Sequence, residues 1–150
     1  MSHRNARQSS RMPPADLREA HRTYLEETLF EAVITAGVVV AFADGRADTL
    51  ERAELVHFVE QSRWLSTFTP TDTSDAFDSR LRQFEMIGST AEAAMGSLRR
   101  VGDRAGICEV IAAAERVALA DGCMQSSETE VLKLIRSAVM PASTILLAPD

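Results

Sequence analysis

The sequence predicts an all-α protein, a compact helical bundle of about six or seven helices that contains two repeated helix–loop–helix units. Apolar residues make up 45% of the chain but aromatic residues only 5%, so the core must be aliphatic and rich in alanine, which favours helix. Apolar side chains recur at three- and four-residue intervals, and no convincing segment shows the strict alternation of a strand. A chain of 150 residues is typical of one domain.

The first part of the chain divides into a polar segment and a long helix. Residues 1–14 are polar and end in two prolines, which predicts a flexible N-terminal segment ahead of a single domain over 15–150. Helical patterning starts near Asp16 and stops at Gly45. Its apolar positions are Leu17, Tyr24, Leu25, Leu29, Val33, Ala36 and Val40. The apolar run over 32–43 is too short to span a bilayer and is predicted to be a buried helix.

Shorter helices are predicted for the rest of the chain. One helix starts at Thr49 and is followed by a loop at 67–74 around Pro70. Two helices are predicted near 73–87 and 90–101. A further helix is capped by Asp103 and runs to Gly122, and a last helix runs from Ser126 or Ser127 to Pro141. Cys108 lies within one of these helices and is expected in the core. The apolar residues Ile145, Leu146 and Leu147 are expected to pack against the domain, at a place that the sequence does not indicate.

The charge distribution restricts the classes of partner. The net charge is −6, and residues outside the arginine-bearing segment 1–22 are more acidic still, which argues against nucleic acid and suits cations or a basic partner.

Two cysteines without a CxxC pair fit a reducing compartment, and no apolar leader is visible, so we expect a cytoplasmic protein that is not itself a membrane protein. No nucleophile elbow or phosphate-binding loop is present, so we expect no enzymatic activity. Trp64 is interpreted as a core residue or a dimer contact, and a homodimer is one expectation.

One short motif occurs twice, at an offset of 77 residues. The first copy is Ala43-Asp44-Gly45, five residues and Glu51, and the second is Ala120-Asp121-Gly122, five residues and Glu128. Each copy follows an apolar helix and precedes an amphipathic one. Because the flanking patterns also match, the two segments are interpreted as an internal repeat of one supersecondary unit.

The four acidic residues of the motif lie at the ends of apolar helical rows rather than on solvated faces. Asp44 and Asp121 extend rows of the preceding helices, and Glu51 and Glu128 begin rows of the following helices. If the two units pack about an approximate two-fold axis, these carboxylates converge, and a cation among them relieves their repulsion. The sequence therefore predicts a metal site formed by Asp44, Glu51, Asp121 and Glu128 for a divalent ion such as Mg²⁺, Ca²⁺ or Mn²⁺. It is not an EF-hand, because apolar residues occupy the first ligand positions of that loop.

A purely structural interpretation of the same residues stays open. Gly45 and Gly122 are good left-handed C-caps, and Asp48 with Glu51 forms an acceptable capping box. Caps account fully for the glycines but poorly for Glu128, because the second copy has Gln125 where the first has Asp48. In this alternative the chain is a metal-free helical adaptor or dimerising module.

Two Ala-Asp-Gly-x5-Glu segments in an acidic, all-helical domain resemble the TerB-like tellurite-resistance proteins. The resemblance covers roughly residues 25–140 and implies a helical bundle linked to tellurite resistance and chemical stress. It implies metal-binding acids at the four matching positions and action through protein partners, including membrane-associated stress proteins. The departures from the pattern are Cys123 and Gln125, which make the second copy less acidic.

Overall fold

The computed structural model describes residues 15–43, 49–87, 91–120, 122 and 126–139. Within these ranges the chain forms six α-helices and no strand, so the all-α prediction is confirmed. The helices are α1 (Ala15–Ala41), α2 (Thr49–Gln61), α3 (Pro70–Ile87), α4 (Ala91–Arg99), α5 (Arg104–Ala118) and α6 (Ser126–Val139). The predicted N-terminal segment 1–14 and the apolar residues 145–147 lie outside the described residues.

The C-terminal part of α1 is the centre of the bundle. Every residue from Ala32 to Ala41 is buried, and α1 packs against each of the other five helices. A helix that is apolar on all sides must be covered on all sides, and this is the position that the fold gives it. The prediction of a buried helix is confirmed for this part of the apolar run. No helix in the described ranges combines the length and the apolar character that crossing a membrane requires.

The N-terminal part of α1 is different, because its apolar side chains are not covered. Leu17, Tyr24 and Leu25 are exposed, although they belong to the apolar row that predicted the helix. All residues from 16 to 25 are exposed, and continuous burial begins only at Ala32. Periodicity therefore predicted the helix correctly, but burial depends on which neighbours reach it.

α3 begins earlier than predicted. The stretch 67–74 was expected to be a loop around Pro70, yet Pro70 is the first residue of α3. The main-chain N–H of Thr69 donates to Asp72 Oδ2 and that of Asp72 donates to Thr69 Oγ1, both at 3.0 Å. This reciprocal cap fills two of the free donors at the helix start, and proline is tolerated at the first helical position because it needs no N–H bond there.

The start of α5 confirms one prediction and corrects another. The carboxylate of Asp103 accepts a hydrogen bond from the main-chain N–H of Gly106 at 3.0 Å, so Asp103 is the N-cap that the sequence indicated. Cys108 was expected in the core, but it is exposed. The buried face of α5 includes Val110 and Val117. Cys108 precedes Val110 by two residues, which places it on the opposite side of the helix.

Thr35 provides a test of the packing around α1. Its hydroxyl is fully buried and finds no hydrogen-bond partner among the described residues. Because an unpaired buried hydroxyl is destabilising, we expect Thr35→Val to raise the free energy of unfolding by about 1 kcal/mol, measured by urea denaturation. Thr73→Val is the matched control, since the buried hydroxyl of Thr73 donates to the carbonyl of Thr69 at 3.1 Å and its removal brings no gain. Equal losses in both variants would show that Thr35 is paired after all.

Candidate metal centre

The two motif-bearing segments have matching helix bounds on either side of the acidic loop. α1 and α5 end, and α2 and α6 begin, at positions separated by the same 77 residues. The turns that follow the first helix of each segment also match. The main-chain N–H of Ala43 donates to the carbonyl of Val40, and that of Ala120 to the carbonyl of Val117, each at 3.1 Å. Equivalent sequence positions therefore have equivalent local geometry up to the point where each acidic loop starts.

Two polar contacts show that α2 runs antiparallel to α5. Near the start of α2, Glu54 Oε2 lies 3.3 Å from Arg116 Nη2 in the last turn of α5. Just after the end of α2, the hydroxyl of Ser62 donates to Glu109 Oε2, near the start of α5, at 2.7 Å. The beginning of α2 and the end of α5 consequently lie at one end of the bundle.

α1 and α5, which pack against each other, run in the same general direction. Leu29, before the buried part of α1, lines the same groove as Gly106 at the start of α5. Arg100, which precedes α5, lies 4.0 Å from Glu31 of α1, measured from Nη1 to Oε2. The C-terminal ends of α1 and α5 therefore share one end of the bundle, and both acidic loops start there.

Glu51 and Glu128 occupy the same position in this arrangement. Each is the third residue of its helix, and each is almost completely buried, with 6% and 4% of its surface exposed. Each begins a buried row as predicted. The row in α2 contains Leu55 and Phe58 and continues to Ser62 just after the helix, and the row in α6 contains Leu132, Ile135 and Val139. The first turn of a helix stabilises a negative charge, and both glutamates have at least one interaction partner.

The other two predicted ligands, Asp44 and Asp121, lie outside the described residues, as does Gly45. Gly122 is described, and its φ of +85° is the left-handed conformation that the sequence indicated for this glycine. It is not the C-cap of α5, because that residue is Leu119, three positions earlier; the N–H of Gly122 donates to the carbonyl of Leu119 at 2.9 Å and closes the turn after the helix. Over the described ranges, no group of three or more His, Cys, Asp or Glu side chains is placed to hold a metal. The four-carboxylate centre remains a prediction.

Burial distinguishes Glu51 and Glu128 from other acids that join the helices. Arg52 Nη2 and Asp78 Oδ2 form an ion pair of 2.7 Å between α2 and α3, and the hydrogen bond to Asp78 raises the pKa of the Arg52 guanidinium. Glu115 pairs with Arg136 between α5 and α6. The side chains of these pairs are 38% and 43% exposed, so the pairs contribute little to stability. These acids pair with arginine at the surface, whereas Glu51 and Glu128 are buried, and their burial makes them the stronger ligand candidates.

A groove lies at the end of the bundle opposite the acidic loops, and it was not predicted from the sequence. Trp64, interpreted as a core residue or dimer contact, is 47% exposed and lines this groove together with Leu25. The feature of the sequence that could have indicated this groove is the apolar row of α1, which continues toward the N-terminus beyond the part that the core covers. Periodicity alone could not show that its first turns remain uncovered.

Comparison with known proteins gives one match. Residues 30–140 match the family model described as tellurite resistance protein TerB, a range that covers more than half of the chain. The match includes both Ala-Asp-Gly-x5-Glu segments. No curated protein and no solved structure matches the chain.

Proposed function

This chain belongs to the tellurite resistance protein TerB family, and from that membership we propose that it is a cytoplasmic stress protein that binds a divalent cation and acts through protein partners. It is a helical protein associated with tellurite resistance. TerB is a non-catalytic domain family, which is consistent with the expectation that the chain is not an enzyme. In this proposal the cation binds at the loop-bearing end of the bundle, between Asp44, Glu51, Asp121 and Glu128.

The burial of Glu51 and Glu128 at equivalent positions carries the proposal. An ionised carboxylate is costly to bury unless hydrogen bonds, an opposite charge or a metal offset the loss of hydration. Both glutamates belong to helices that begin at the end of the bundle where α1 and α5 finish. Asp44 and Asp121 follow those two helices within three residues, so the chain supplies further carboxylates at that end.

The donor set fits a hard cation. Carboxylate oxygens are the preferred ligands of Mg²⁺, Ca²⁺ and Mn²⁺, whereas softer ions favour nitrogen and sulfur. A bound divalent cation would also offset the unfavourable position of Asp44 and Asp121 beside helix C-termini, which is worth about 0.3–1 kcal/mol for each acid. Binding would steady the two loops relative to each other and so shape the surface that partners meet.

A metal-free adaptor is the second candidate. Glu51 and Glu128 lie in first helical turns and already have interaction partners, as expected for carboxylates that only stabilise helix starts. In this case function resides in an apolar surface, and the exposed side chains of Leu25 and Trp64 offer one. The two candidates differ in their response to cations.

Thermal unfolding in EDTA and then in Mg²⁺, Ca²⁺ or Mn²⁺ separates them. We expect at least one of these ions to raise the free energy of unfolding by about 2.7 kcal/mol at a free concentration of 100 times its Kd. Sodium chloride at equal ionic strength is the control, because screening acts on all exposed charges of this acidic chain. A transition that moves no further with any divalent ion than with sodium chloride supports the adaptor.

A further inference from the structure

The groove at the end of the bundle opposite the acidic loops has a volume of about 800 Å³. Its walls come from α1, from the segment after α2 and from the connection between α4 and α5. Leu25, Leu29, Trp64 and Val101 give it a mostly apolar lining, and arginine side chains stand among them. Leu25 is 52% exposed, so the groove presents apolar surface that no described residue covers.

The groove lies between the two halves of the repeat. Three pairs of its lining residues are related by the 77-residue offset, namely Leu25 with Gly102, Glu26 with Asp103, and Leu29 with Gly106. The two halves also contact each other reciprocally, since α2 packs on α5 and α6 packs on α1. An approximate two-fold rotation that exchanges the two halves therefore superposes the contact between α2 and α5 on the contact between α6 and α1. Equivalent residues from both halves thus line the same groove.

The 77-residue offset also relates the segment after α2 to the chain that follows α6. The segment after α2 contributes Arg63, Trp64, Ser66 and Thr67 to the groove, and the positions equivalent to 63–67 are residues 140–144. These follow directly after Val139, the buried last residue of α6. Residue 145 is six positions from Val139, so an extended chain of this length spans up to about 20 Å.

We propose that the apolar residues Ile145, Leu146 and Leu147 bind in this groove, against Leu25 and Trp64. The segment 140–150 contains no basic residue and carries Asp150. The lining holds three arginines and two acids, Glu26 and Asp103, so the groove has a small excess of positive charge that complements this segment. Three consecutive large aliphatic side chains are unfavourable in water, so their burial against the apolar lining favours the bound state. The inference does not depend on cation binding, because the groove and the acidic loops are at opposite ends of the bundle.

Trp64 reports directly on this contact because it is the only tryptophan of the chain. In the chain of residues 1–150, we expect Leu146→Asp to shift the emission of Trp64 to longer wavelength and to increase its quenching by acrylamide. Leu134→Asp, which adds the same charge at an exposed leucine of α6 that does not line the groove, should leave both unchanged. Identical emission and quenching in wild type and Leu146→Asp would overturn the proposal.

Proteolysis tests the groove side of the contact independently. Leu25→Ser changes an already exposed residue and should leave the bundle folded, but we expect it to raise the rate of cleavage at residues 145–147 by about ten-fold. Leu134→Ser, at an equally exposed position of α6, should leave the rate at the wild-type value. Equal cleavage in Leu25→Ser and wild type overturns the proposal. Protection that disappears on dilution together with a dimeric mass also overturns it, because the occupant would then be a second copy.

Discussion

Replacement of Leu55 by alanine is expected to lower the free energy of unfolding by about 3 to 5 kcal/mol. Leu55 is fully buried where α2 packs against α1. Its Cδ2 lies 2.8 Å from the point that a Cβ on Gly37 would occupy, so the absence of a side chain at Gly37 lets the leucine approach the backbone of α1. Alanine would leave a cavity between two helices whose backbones cannot easily move closer. Urea denaturation measures the loss.

Leu134→Ala is the matched control for Leu55→Ala. Leu134 is 51% exposed on α6, and its truncation should change the free energy of unfolding by less than about 0.5 kcal/mol. Adding Gly37→Ala to Leu55→Ala places a methyl group in the vacated space, so the double variant should recover part of the loss. If Leu55→Ala costs no more than the control, the close contact between α1 and α2 is incorrect.

The double variant Glu51→Gln, Glu128→Gln is expected to lose the entire cation-dependent gain in stability, about 2.7 kcal/mol at 100 times the Kd of the wild type. Glutamine keeps the size of the side chain and one oxygen but removes the charge that a hard divalent cation requires. Because both residues are buried, the substitutions alter no exposed surface. Thermal unfolding with and without the cation that stabilises the wild type gives the measurement.

Glu60→Gln with Glu130→Gln is the control for this experiment. These residues lie on the same two helices and change the net charge equally, but both are exposed. The control variant should retain the gain. Retention by the buried pair would reject Glu51 and Glu128 as ligands, and equal loss in both variants would assign the effect to net charge rather than to a site.

Local signals in the sequence located most helix starts. Asp103 was correctly predicted to cap α5, because a capping contact involves residues only three positions apart. The same kind of signal at Thr69 and Asp72 was overlooked, since Pro70 was interpreted as part of a loop rather than as the first residue of a helix. The capping residues of α3 were therefore visible in the sequence, and the interpretation of Pro70 as a loop residue was wrong.

The candidate site could be predicted in part. The burial of Glu51 and Glu128 followed from their place at the start of apolar rows, because side chains three and four residues apart share one face of a helix. Cys108 shows the limit of this reasoning. It was expected in the core from its position within a helix, but the face that carries it meets solvent. Assignment of a face needs the complete row, and Cys108 is not in the row that contains Val110 and Val117.

The sequence by itself determined the helical class, most helix bounds, the repeated motif and the burial of its two glutamates, because each depends on contacts among residues close together in the chain. Only the tertiary structure decided that α1 and α5 run in the same direction, that the acidic loops start at one end of the bundle, and that a groove opens at the other. It also decided that Leu25 and Trp64 stay exposed. These features arise where helices distant in sequence pack against each other, and helical periodicity does not specify which partner covers an apolar face.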